Sequence, residues 1–106
     1  MAWIYLMIAG LFEVVWATAM KQSDGFARPG ATAVTIAAMI ASFILLSLSM
    51  KSLPLGTAYT IWTGIGAVGA FIVGIAVFGE QANAMRITAA LLIVAGLVLM
   101  KMSSPA

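Results

Sequence analysis

The sequence predicts an all-α integral membrane protein with four transmembrane helices in a single domain spanning 1–106. Three observations carry this. The chain is 64% hydrophobic with mean hydropathy +1.17, and only 8% of it is charged. A soluble domain of this length holds roughly 25% charged residues to cover its surface. The apolar residues fall into four long runs separated by short polar breaks. Finally, the runs are apolar on all sides, whereas strands of a membrane barrel alternate polar and apolar positions.

A membrane helix needs about 20 mostly apolar residues to cross about 30 Å of hydrocarbon. Without water to serve its amides, the backbone of such a run has to satisfy itself as a helix. The first run is predicted over 2–20 and ends at "KQSDGFARPG". The second covers 31–50 and ends at "KSLPLG". A third spans about 56–78 and stops at "GEQANA". The fourth covers about 85–100 and is followed by Lys101. "ATA" at 17–19 looks like a cleavage site, but the stretch before it lacks a basic region and contains a glutamate, so it reads as a span rather than a signal peptide.

Several function classes are excluded by what is missing. With no cysteine and no histidine, disulfides, thiol nucleophiles, the usual zinc sites and histidine general bases all drop out. No nucleophile–base pair is visible, so an enzyme is not expected, nor is any metal or cofactor. The net charge of +2 comes from dispersed cations, which leaves no footprint for nucleic acid.

Short loops make neighbouring helices antiparallel. Side-chain cations then divide as Lys51 and Lys101 on one side against Lys21, Arg28 and Arg86 on the other. The positive-inside rule draws almost no bias from that count, which suits insertion in either orientation.

Glu13 is the costly residue. It lies in "IAGLFEVVWATAM", near the centre of the first run, where an ionisable side chain marks a functional site by default. At helical spacing its face reads Leu6, Ala9, Gly10, Glu13, Trp16, Ala17 and Met20. Gly10 removes bulk one turn before the acid. Trp16 adds an aromatic face and an indole N–H one turn after it. In the third run Tyr59 and Trp62 share a face, and aromatics around an acid suit an organic cation. Gly64 and Gly66 can serve close helix packing or a hinge. Ser42 is the polar group near the middle of the second run, and hydrogen-bonding to its own backbone is the habit of such serines. Ala89 and Gly96, seven apart in the fourth run, suit a contact between subunits.

Such a carboxyl can exchange a proton for a cation. Two copies would bring two Glu13 residues together as a coupled pair, and inverted copies would form a midplane site of the kind used for alternating access. An antiparallel homodimer is therefore expected. A channel-forming or purely structural membrane subunit is the reading from a different class.

These residues resemble the small multidrug resistance family of four-helix bacterial exporters. The match rests on "AGLFEVVWA" at 9–17, "MKSLPLGTAYTIWTGIGAVGA" at 50–70 and the "R…ALLIVAGLVLMK" pattern of the fourth run. Gly10, "VVW" and "GTAYxxWTGIGA" are similar to the guanidinium-exporter branch rather than the quaternary-ammonium multidrug branch. The resemblance implies antiport of guanidinium-type cations for protons across the bacterial inner membrane, driven by the proton gradient without a cofactor. By position it implies Glu13 as the shared proton and substrate site. Gly10, Trp16, Ser42, Tyr59, Thr60 and Trp62 would line the pocket, Gly64 and Gly66 would form the hinge, and the fourth helix, through Ala89 and Gly96, the dimer contact. Thr60 departs from the branch, where alanine is expected, and its added hydroxyl and bulk would widen the range of cations accepted.

Overall fold

The computed structural model describes residues 1–103 and contains four α-helices, with no strand among the described residues. They are α1 (Ala2–Gln22), α2 (Pro29–Ser49), α3 (Leu55–Phe78) and α4 (Ala84–Ser103). Each is long and apolar enough to cross a membrane. The four therefore form an integral membrane unit whose helices span about 30 Å at 1.5 Å per residue.

Except at the end of α2, which stops at Ser49, the helices match or run slightly beyond the predicted spans, because hydropathy marks the hydrocarbon and not the end of the hydrogen-bonded helix. α1 continues through Lys21 and Gln22, and α4 continues past Lys101. α2 begins earlier, at Pro29, since proline at the first helical position gives up an N–H that would be unpaired there anyway.

Local chemistry explains the turns. Buried Ser23 organises the α1–α2 connection: its hydroxyl donates to the Met20 carbonyl at 2.6 Å and accepts the Phe26 N–H at 3.1 Å. Those bonds hold Asp24, Gly25 and Phe26 in left-handed backbone, with φ of 52°, 70° and 68°. At the end of α3, Gly79 is left-handed, and the N–H groups of Gly79 and Glu80 both return to the Gly74 carbonyl, the latter at 3.0 Å. Asn83 caps α4 by accepting the Arg86 N–H at 2.9 Å.

Packing is uneven. α1 is the hub, meeting α2 most extensively and α3 next. A core of Leu6, Ala9, Leu46, Leu53, Ala58, Ile61 and Trp62 joins the three. α4 leans on α3 and buries none of its residues. The chain is accordingly a slab of 43 × 34 × 16 Å rather than a closed bundle. Large apolar side chains such as Leu11, Ile40 and Ile72 face outward, where lipid is their solvent.

Candidate functional site: an unpaired carboxyl on the α1–α3 seam

Small residues set the α1–α3 seam, along which the two helices run in the same direction. A side chain built at Gly10 would meet Ile65, one at Gly66 would meet the carboxyl group of Glu13, and one at Gly69 would meet Val14. Gly66 therefore removes the bulk that would displace Glu13, and the acid lies directly against α3. Packing of the small-residue kind explains these positions. α3 is a continuous helix through Gly64 and Gly66, and Gly64 admits Leu97 of α4.

One oxygen of Glu13, Oε1, is buried with no hydrogen-bond partner among the described residues. The same is true of the Trp16 indole Nε1, one turn along α1. An unpaired buried polar atom costs about 1–3 kcal/mol, so two on adjacent turns of one helix demand a reason.

Beside them stands a fully satisfied polar chain. The Trp62 indole Nε1 donates to Ser42 Oγ at 2.9 Å, and Ser42 Oγ donates to the Ala9 carbonyl at 2.7 Å. One hydroxyl thus ties α3, α2 and α1 together just before Glu13 in α1. Ser42 is fully buried and departs from the habit of membrane serines, because its bond crosses to a neighbouring helix. Ser49 keeps that habit, donating to the Leu46 carbonyl at 2.7 Å, as does Thr63 to that of Tyr59.

Four aromatic rings line the same region. Phe43 meets Trp16 edge-on at 6.5 Å and Trp62 edge-on at 5.8 Å, and Tyr59 lies tilted against Trp62 at 5.6 Å. Negative ring faces near an acid attract cations. Phe43 was not singled out from the sequence. Its only signal there was its place next to Ser42, within an otherwise aliphatic stretch.

The structure thus brings together Glu13, Trp16, Gly10, Gly66, Ser42 and Trp62, with Tyr59 joined through its ring. Within one protomer it leaves Thr60 apart: that side chain is exposed and lines a shallow cavity with Leu55, Gly56 and Tyr59. Ala89 and Gly96 also separate. Ala89 lines a small cavity against Phe71 and Arg86 of the α3–α4 contact, while nothing lies within 4 Å of a side chain built at Gly96. Among the described residues no group of acids could hold a metal ion.

Four membrane-crossing helices whose buried polar groups converge on one unpaired acid define a small membrane transport protein. The chain belongs to the small multidrug resistance family, whose model, described as Small Multidrug Resistance protein, matches residues 1–94. It is 55% identical to the guanidinium exporter of Escherichia coli K12 over 104 residues, 98% of this chain and 99% of that protein. The guanidinium exporter of Salmonella typhimurium LT2 matches at 55% over the same span, and that of Citrobacter freundii at 54%.

Proposed function

We propose that this protein exports guanidinium and small substituted guanidinium cations across the inner membrane in exchange for protons, as an antiparallel homodimer. The observation that carries the reading is the unpaired Glu13 Oε1, held against Gly66, with a run of four contacting aromatic rings that starts at Trp16 one turn away. Full-length relatives named guanidinium exporters support the substrate class.

Chemistry makes the match specific. A guanidinium is planar and presents paired N–H groups that meet two carboxylate oxygens in a fork. The Trp16 N–H is placed one turn away to orient that carboxylate. Ser42 is already engaged with Ala9 and Trp62, and its role is to fix the Trp62 wall. When the site is empty, Glu13 carries a proton; when a cation enters, the proton leaves and an ion pair replaces it. The cycle needs no cofactor beyond the proton gradient.

Dimer formation is supported by α4, which buries nothing in the protomer. Leu92, Gly96 and Leu99, spaced four and three apart, form an open stripe for a second copy. Inversion of that copy is favoured by the even spread of Lys51 and Lys101 against Lys21, Arg28 and Arg86. Gly64 and Gly66 are the points at which α3 would bend as access alternates.

The test is substrate-evoked current in proteoliposomes, with guanidinium and a tetraalkylammonium ion compared and Glu13→Gln as control. Guanidinium current that vanishes in the variant is expected. Equal currents for both ions would favour a promiscuous quaternary-ammonium exporter, a reading to which the aromatic walls also lend themselves. A current that survives Glu13→Gln would point to an uncoupled pore and overturn the proposal.

A further inference from the structure

At the end of α4 that lies beside the start of α1, an apolar groove opens between three helices. It encloses about 430 Å³ and is lined by Trp3 and Met7 of α1, Ile61 and Ile65 of α3, and Leu97 and Val98 of α4. Lys101 stands at its mouth with its ammonium 4.2 Å from the centre of the Trp3 ring. Among the described residues no carboxylate pairs with that ammonium. The cation is held by an aromatic face at the membrane edge and keeps its N–H donors for an external anion.

We propose that this groove binds one anionic phospholipid, with the headgroup phosphate on Lys101 and an acyl chain along α4 from Lys101 towards Val94. Charge complementarity chooses the occupant: the groove walls are apolar and the one charged group at its mouth is positive. Val94 to Lys101 covers about 10 Å of helix, which seats the part of an acyl chain nearest the headgroup. Basic groups set between membrane helices are the recognised way in which proteins hold anionic headgroups.

Helix geometry keeps the groove open to lipid. Val94, Leu97, Val98 and Lys101 occupy one side of α4, and the exposed stripe Leu92, Gly96 and Leu99 occupies the opposite side. A second copy seated on that stripe would leave the groove free. The other end of α4 offers an internal comparison. Arg86 also lies over a ring, 5.5 Å from the centre of Phe71, but its cavity is about 200 Å³, less than half the size. It has a cation on an aromatic without room for a chain.

Purified protein, stripped of lipid in mild detergent, would be titrated with palmitoyl-oleoyl phosphatidylglycerol or with phosphatidylcholine of the same chains, and bound lipid counted by native mass spectrometry. The expected preference for the anionic lipid is about fivefold, the size of one cation's contribution near a headgroup. Lys101→Gln should erase it, Lys101→Arg should keep it, and Arg86→Gln should leave it unchanged. Val98→Trp, which fills the groove, should weaken both lipids. A preference that survives Lys101→Gln, or falls equally in Arg86→Gln, would overturn the proposal. So would a Val98→Cys chain that cross-links to a second copy in native membranes. Helical content by circular dichroism checks each variant, and the Lys101 pair decides the matter even if the tryptophan variant does not fold.

Discussion

Two indoles in this protein sit on neighbouring helices around the same acid, and their N–H groups have opposite fates. That of Trp62 is bonded to Ser42, which passes the bond on to Ala9. That of Trp16 is buried and unpaired, as is Oε1 of Glu13 one turn away. The first arrangement is a brace: every donor has an acceptor, and three helices are tied in register. The second leaves polar capacity unspent in a medium where unmet hydrogen bonds are costly. A fold selected only for stability would have closed both. The difference separates the part of the site that holds shape from the part kept ready for a ligand.

The comparison breaks most severely at Glu13. Glu13→Gln keeps size and hydrogen bonding but removes the charge and the exchangeable proton. Coupled guanidinium current should drop to background, a loss of about 100-fold or more, since no other acid lies along the spans. Folding in detergent should be unchanged. Next in size is Gly66→Ala. The new methyl would meet the Glu13 carboxyl group, the free end of a flexible side chain, so the acid moves and the helices need not. Displacing a reacting group by a fraction of an ångström to an ångström is costly, and the current should fall about tenfold with stability intact. An unchanged current would mean that Gly66 does not set the position of the acid.

Ser42→Ala and Trp16→Phe sharpen the contrast because each removes one polar group from one arm. Ser42→Ala strands the Trp62 N–H and removes the second bond to the Ala9 carbonyl, and should cost about 1 kcal/mol in a detergent unfolding titration. Trp16→Phe removes a donor that has no partner, so it should leave stability within a few tenths of a kcal/mol. Its effect should instead be on transport, raising the apparent KM for guanidinium about threefold by freeing the carboxylate's orientation. If the two variants behaved alike in both assays, brace and reserve would be one network.

Much of this was legible before any coordinates. A polar atom in an apolar run announces itself, and so Glu13, Ser42, Tyr59 and Trp62 stood out on chemistry alone. What the sequence left unread depends on register between helices. For Gly66 the sequence allows close packing or a hinge, but it cannot say that the residue's direct contact is Glu13, on a helix that runs through it unbroken. Nothing about Phe43 differs from its apolar neighbours until its ring is seen between Trp16 and Trp62. Ala89 and Gly96 share a face by spacing, but in the structure Ala89 lines the cavity beside Phe71 while Gly96 is open. Sequence spacing determines which residues share a side of a helix. Which neighbour they meet is settled by the small residues at the crossing, whose effect is felt only once two helices pack.

The smallest expected effect lies at Thr60, where this chain departs from the alanine expected in the guanidinium branch. The side chain is exposed, beyond the ring of Tyr59 and on the far side of α3 from Trp62, so neither the brace nor the reserve contains it. Thr60→Ala should leave stability within about 0.5 kcal/mol, as exposed substitutions do. The ratio of guanidinium to tetraalkylammonium current should change by less than about twofold, near the limit of what proteoliposome recordings resolve. A larger change would carry structural information of its own. Thr60 borders its own protomer's site only through its neighbour Tyr59, so a strong effect on selectivity would point to a direct reach into the Glu13 pocket of a second copy, and it would then mark the line along which the two protomers meet.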